Sequence, residues 1–396
     1  FKKYIIFLGL MLPATPFTKE LGAVQIGNFW VDAISHTFFV LSFLVLFYHK
    51  KLYVSKSELI VFSSILLISL VNSAIFQLPV IIVFKQFLPI FILYFVSKMI
   101  IEYKGPQYIM EKYVDYALIA SIIGFAQLIL KLFGIKLLTN DLQLNLDSLA
   151  FEPSHYVVMT LPALIYLYET KRFNLKFYII FLALILTFKT TLLVSILTYV
   201  ILTNMNFKKR SIIILLIVGA VGTISVVFNE AMYSRFIHFI NFLLDWNISE
   251  LKNLTIYSFM SNFHVAIANF IDTYGFGIGL GGHDTMYYRN LELFIETPFD
   301  NKFWGINSKS AHSLLIRIIS ELGVIGILLL SIILIKSLQI KQTNLRAIAL
   351  ASYASFIAKF FKTGSYFEYG TIIFLVLILV SIKLDNDNKV HLNKRA

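Results

Sequence analysis

Eleven apolar runs divide this chain and leave few folds open to it. They cover 4–15, 31–48, 58–76, 80–101, 114–135, 156–170, 177–205, 211–228, 312–336, 347–361 and 369–384. Most approach the roughly 20 residues that a helix needs to cross a bilayer. A water-soluble fold has no way to bury them all. Of 396 residues, 58% are hydrophobic and only 14% charged, against about 45–50% apolar and about a quarter charged in soluble domains. In lipid, backbone groups must satisfy one another within each segment, so runs of this length read as helices. The expectation is an all-α polytopic membrane protein, folded as one integral membrane domain over 1–396. Phe1-Lys2-Lys3 followed by Tyr4–Leu12 reads as a first membrane helix. It is ended by Pro13 and Pro16, with no small-residue cleavage site of a signal peptide.

The run 177–205 is too long for one span and has a polar break at Thr187–Thr191. Two short helices, 177–188 and 190–205, meeting at the break bring the count to about 12 segments. Basic clusters test that count, because Lys and Arg gather in cytoplasmic loops. They are Lys50, Lys51 and Lys56; Lys104 and Lys112; Lys171, Arg172 and Lys176; Lys208, Lys209 and Arg210; Lys336, Lys341 and Arg346; and Lys394 with Arg395. With the broken reading, all fall on one side. Both termini are then cytoplasmic, and residues 136–155 and the large loop 229–311 face outward. That loop contains amphipathic runs at Met232–Leu244 and Leu254–Ile271, read as short helices forming a lid. No internal repeat is visible, which weighs against an inverted-repeat transporter. The net charge of +12 is explained by the cytoplasmic loops and calls for no nucleic acid. The absence of cysteine excludes disulfides, thiolate metal sites and a cysteine nucleophile.

Ionisable residues in or beside spans are costly and tend to be functional. Lys85 lies early in a span that starts outside, where it either snorkels to headgroups or binds an anion. Lys189 sits at the break of the short helix pair. Phe151-Glu152-Pro153-Ser154-His155 precedes a span. Proline and an acid suit a helix start, but that leaves His155 unexplained. Tyr274–His283 holds five glycines in ten residues, either a linker or a backbone able to approach a ligand at Gly279, Gly281 and His283. His312 heads the long run ending at 336. Arg317 and Glu321, one turn apart, either pair with each other or serve a ligand. Arg235, early in the outer loop, is a candidate anion clamp. A set richer in cations than acids suits phosphate or pyrophosphate. No metal-ligand spacing is present, and no metal or cofactor is expected.

These motifs resemble the O-antigen polymerase and ligase superfamily of bacterial surface-glycan assembly, over residues of about 60 to 340. The resemblance rests on Glu152-Pro153-Ser154-His155, on the short helix pair around Leu186–Leu193, and on the outer loop running into Ala311-His312-Ser313 and Glu321-Leu322-Gly323-Val324-Ile325-Gly326. Two departures stand out. Lys189-Thr190-Thr191 occupies the place where Ser-Arg-Gly is usual, and Ser313 stands where the family has Asn. The resemblance implies a bacterial inner-membrane glycosyltransferase with its active site facing the periplasm and a fold related to membrane-embedded lipid-donor (GT-C type) enzymes. Its substrates would be undecaprenyl-diphosphate-linked oligosaccharides, as donor and acceptor, and a chain-length regulator would be its protein partner. The Glu-Pro-Ser-His stretch favours a polymerase over a ligase acting on lipid A–core. A lipid-linked oligosaccharide flippase is the reading from another class. In the polymerase reading His312 or Glu152 is the base. Lys85, Lys189, Arg235 and Arg317 hold the diphosphate, and His155, Gly279, Gly281 and His283 contact glycan.

Overall fold

The computed structural model describes residues 2–18, 39–49, 53–136, 145–150, 152–203, 253–290 and 303–393, and among them every regular element is a helix. In chain order these are α1 (Lys2–Thr18), α2 (Phe39–Tyr48), α3 (Lys56–Ile75), α4 (Val80–Lys104), α5 (Pro106–Leu132) and α6 (Pro153–Glu169). The chain continues with α7 (Leu175–Ile185), α8 (Thr190–Thr203), α9 (Leu254–Asp272), α10 (Gly282–Arg289), α11 (Leu314–Leu338), α12 (Thr343–Lys362) and α13 (Thr371–Asn393). Five of them, α3, α4, α5, α9 and α11, are long and apolar enough to cross a membrane.

Polarity is distributed as lipid requires. On α3 the buried side chains are Ser69, Asn72 and Ser73, while Leu59, Ile60, Leu67 and Ile75 are exposed. In water that arrangement would be inverted. In a bilayer it buries the groups that need hydrogen bonds and leaves the apolar ones in the solvent they prefer. At the centre, α12 packs on α6, α8, α11 and α13. Its buried Ala347, Ala349, Ala351, Ser352, Ala354, Ser355 and Ala358 let backbones approach closely without a hydrophobic driving force. Its chief partner α6 is apolar on all sides, with Tyr156 through Leu167 buried throughout, as suits an element enclosed by others.

The break expected at 187–191 is present. Helix α7 stops at Ile185 and α8 starts at Thr190, with Phe188 left-handed at φ 49°. Neither piece, at 11 and 14 residues, spans a bilayer alone. Elsewhere the helices depart from the sequence reading. Helix α1 runs through Pro13 and Pro16 instead of ending there. Proline removes a donor to the carbonyl four residues back, and Thr15 Oγ1 donates to Leu12 O at 2.8 Å, replacing what Pro16 cannot give. Helix α5 starts at Pro106, with Gly105 left-handed before it. Its polar first turns are held by ion pairs: Glu111 with Arg172, and Asp115 with Lys112 at 3.0 Å and Lys176 at 2.7 Å. Charges that read as loop are therefore helix. In the loop read as a lid, residues 254–272 form a 19-residue helix packed along α11. The run 211–228 and Met232–Leu244 lie outside the described residues.

Candidate functional site

The glycine-rich stretch binds backbone to backbone. Helix α11 opens at Gly323, whose φ of 57° and ψ of −144° are not helical. The opened turn pairs with the glycine-rich segment: Ile278 N donates to Ser320 O, Gly279 N to Glu321 O, and Val324 N to Gly275 O, at 2.8–2.9 Å. A Cβ on Gly279 would sit 2.8 Å from Ser69 O of α3, and one on Gly281 would meet Ile82 and Gln86 of α4. Asn72 donates to Gly277 O, and Leu280 N to Ser69 Oγ. The glycines thus serve close passage between α3, α4 and α11. Gly279 and Gly281 leave the set of glycan-contacting candidates, because helices already fill the space a Cβ would take.

His283 leaves that set too. It is 1% exposed, and both ring nitrogens are used. Asn262 Nδ2 donates to Ser258 O and Ile306 O, which turns Oδ1 toward His283 Nε2 at 3.0 Å. Nε2 therefore carries the proton. Nδ1 accepts from Ser320 Oγ at 2.8 Å, and Ser320 accepts from Asn269 Nδ2 at 2.8 Å. Burial, and secondarily the Arg317 charge, push His283 down to about 3. It is a neutral strut between α9, α10 and α11.

Arg317 is likewise occupied. The guanidinium, 3% exposed, donates to Glu321 Oε1 at 3.1 Å and to Gly364 O at 3.2 Å, and lies 4.5 Å over the Tyr366 ring. With Glu321 neutralising it, it offers little net charge to a diphosphate. The simpler reading, an i,i+4 pair, is the one the geometry meets.

What converges is a junction of helix ends. Glu152 stands at the N-cap position of α6 without a side-chain capping bond, and Pro153 lies in the first turn. His312 lies two residues before α11, on a turn where Asn307, Ala311 and His312 all have φ between 51° and 60°. Three left-handed non-glycine residues so close together cost energy and cluster at functional sites. The turn is held by Ser313 Oγ donating to Phe360 O at 2.7 Å and by Gly364, where any Cβ would collide with Ser310 O. From the end of α12, Lys362 forms an ion pair with Glu152 at 2.7 Å. Ser154 Oγ donates to the same carboxylate at 3.0 Å, and the His155 and Tyr369 rings lie 5.2 Å apart. The Glu152 side chain is 45% exposed. Burial alone would raise its pKa, but the Lys362 and His155 charges outweigh burial and hold it at about 2. His312, 3% exposed, is pushed down to about 3 by burial first and Lys362 second, while Glu152 acts in the opposite sense. Glu152, Lys362 and His155 are thus electrostatic neighbours of His312, although about 160 residues separate the segments.

Beside this junction a cavity of about 460 Å³ opens between α1, α2, α4 and α13. Its walls are apolar, with Lys85 from the second turn of α4 and with Tyr369, the residue that meets His155. Lys189 is half-buried at the helix break. There Leu146 N donates to Leu186 O at 3.0 Å, tying the break to the segment that leads into Glu152. Arg235 lies outside the described residues. The segment 362–371 was missed in the sequence, although its polar run Lys362-Thr363-Gly364-Ser365 and Glu368 between two apolar runs was a usable signal. Ser258, Asn262 and Asn269, a polar stripe at helical spacing on α9, were another.

No family model, curated protein or solved structure matches this chain. Its class therefore rests on its own residues: a helical membrane protein with a charged junction at its helix ends.

Proposed function

We propose that the chain is a surface-polysaccharide polymerase of about 12 membrane segments, a GT-C-type glycosyltransferase. It would act on undecaprenyl-diphosphate-linked repeat units at the periplasmic face of a bacterial inner membrane. The observation that carries this reading is the Glu152–Lys362 ion pair, with His312 in its electrostatic neighbourhood, at three separate helix ends beside an apolar cavity that Lys85 lines. A lipid-linked diphospho-sugar needs those parts: apolar walls for the carrier, cations for the diphosphate, and ionisable groups at the reacting carbon.

The chemistry would be a single displacement. An acceptor hydroxyl attacks the anomeric carbon, the bond to the diphosphate oxygen breaks with its electron pair, and the configuration inverts. Lysines 85, 189 and 362 and Arg235 stabilise the charge that develops on the leaving group. Glu152 and His312 are the candidates to handle the proton. Lys362 replaces Arg317 in the set first drawn from the sequence, because its partner Glu152 is half-exposed and can release it to a diphosphate, whereas Arg317 is buried together with Glu321.

The test is incubation of the purified protein in nanodiscs with lipid-linked repeat units. Polymerase activity gives a ladder of longer glycans, and a flippase returns only the input length. Glycan on added lipid A–core, with no ladder, would make the protein a ligase.

A further inference from the structure

The His312 ring has two nitrogens, and the structure commits only one. Nδ1 lies 2.9 Å from Ser258 Oγ and 3.3 Å from Asn307 Nδ2, and Asn307 Nδ2 also donates to Ser258 Oγ at 2.8 Å. An amide NH2 can only donate. With it facing both atoms, Ser258 Oγ accepts from Asn307 and gives its own proton to Nδ1 at 2.9 Å rather than to the more distant Ile306 O at 3.4 Å, which Asn262 already serves. Nδ1 is then an acceptor, and in a neutral imidazole the proton resides on Nε2. Among the described residues Nε2 has no hydrogen-bond partner. The arrangement is braced from behind. Asn262 holds the Ser258 and Ile306 carbonyls, and His283 holds Asn262, back to Ser320 of α11. The Phe259 ring stands edge-on to His312 at 5.6 Å and keeps the imidazole plane fixed.

We propose that Ser258 and Asn307 are positioning residues that hold His312 as the Nε2–H tautomer, so that it donates a hydrogen bond to the departing diphosphate and is not the base. This rests on the polymerase reading. In the transfer, Lys362 turns from Glu152 to the diphosphate, which removes the charge that holds the carboxyl low; the acceptor hydroxyl oxygen bonds to the anomeric carbon and its proton passes to the Glu152 carboxylate. The carbon–oxygen bond to the diphosphate breaks, and the electron pair stays on the phosphate oxygen, which accepts the Nε2–H hydrogen bond. No other reactant is needed. A donor aimed at the developing charge contributes on the scale of an oxyanion-hole group, about 100- to 1000-fold in rate.

Two measurements test this. The first needs no activity. The ¹⁵N spectrum of histidine-labelled protein in nanodiscs reports which ring nitrogen is protonated, and the His312 signals are those lost in His312→Gln among the eight histidines. The expected result is a bare Nδ1 and a protonated Nε2 in the parent, with an Nδ1–H population appearing in Ser258→Ala. A parent protein with the proton on Nδ1 overturns the proposal. The second compares His312→Ala with His312→Gln in the polymer assay. Glutamine offers an N–H near the Nε2 position but cannot serve as a base. The Gln variant should recover most of the roughly 100-fold or greater loss seen with alanine. Equal inactivity of two folded variants contradicts the donor role. If the parent makes no polymer, the polymerase reading fails, and the tautomer measurement still decides the assignment of the ring.

Discussion

Mild acid should weaken this fold through two side chains, His283 and His312. Each is buried, with its folded-state pKa pushed from 6.5 down to about 3. The unfolded chain takes up both protons near pH 6.5, whereas the native state refuses them until about 3. Their contribution is therefore complete above 6.5 and is lost progressively as the pH falls toward 3. One unit below the unfolded value each histidine costs about 1.4 kcal/mol, so at about pH 5.5 the pair costs about 3 kcal/mol. That is a large share of the roughly 5–15 kcal/mol that holds a typical domain together. The assay is thermal unfolding of purified protein in nanodiscs at neutral pH and at about pH 5.5, for the parent, His283→Gln and His312→Gln. The parent midpoint should drop in acid, and each variant should show about half that drop, whatever its midpoint at neutral pH. A His283→Gln variant that keeps the full acid sensitivity would refute the reasoning, because the neutral strut would then contribute nothing to it.

Arg317→Ala should leave Glu321 buried and unpaired, at a cost of about 3–5 kcal/mol. The double change Arg317→Met with Glu321→Met should regain much of that, which the yield of monodisperse protein would show. Gly323→Ala puts a side chain at φ 57° against Gly275 O. It should destabilise by several kcal/mol, because the left-handed penalty of about 1–2 kcal/mol adds to the loss of paired backbone hydrogen bonds at about 1 kcal/mol each. Lys85→Ala should leave the unfolding midpoint within about 0.5 kcal/mol of parent and raise KM for the lipid-linked substrate; an unchanged KM would remove Lys85 from the diphosphate site.

Much of this was legible in the residues, and the misses have physical causes. Thr187–Thr191 announced the helix break because a polar cluster is expensive inside an apolar run. Glu152-Pro153 announced the start of α6 because proline and an acid both suit a helix N-terminus. The prolines of α1 misled because a neighbouring hydroxyl, Thr15, can restore the lost hydrogen bond, and no local pattern reveals that it does. The glycines at 279 and 281 and His283 looked like ligand contacts because the residues suited to approach a ligand closely are also those suited to approach a helix. Only the opened turn at Gly323 tells the two apart. The polar run from Lys362 marked a junction between two apolar runs, but the pairing of Lys362 with Glu152 and of Tyr369 with His155 was not legible, because the partners lie about 210 residues away in sequence.

The most direct test of the central claim is a cryo-EM structure of the protein in nanodiscs with an undecaprenyl-diphosphate-linked repeat unit bound. The expected result is diphosphate density within about 3.2 Å of donor atoms at His312 Nε2 and at Lys85 or Lys362, with the carrier in the apolar cavity beside Tyr369. Diphosphate density elsewhere, with the Glu152–His312–Lys362 junction empty, would contradict it.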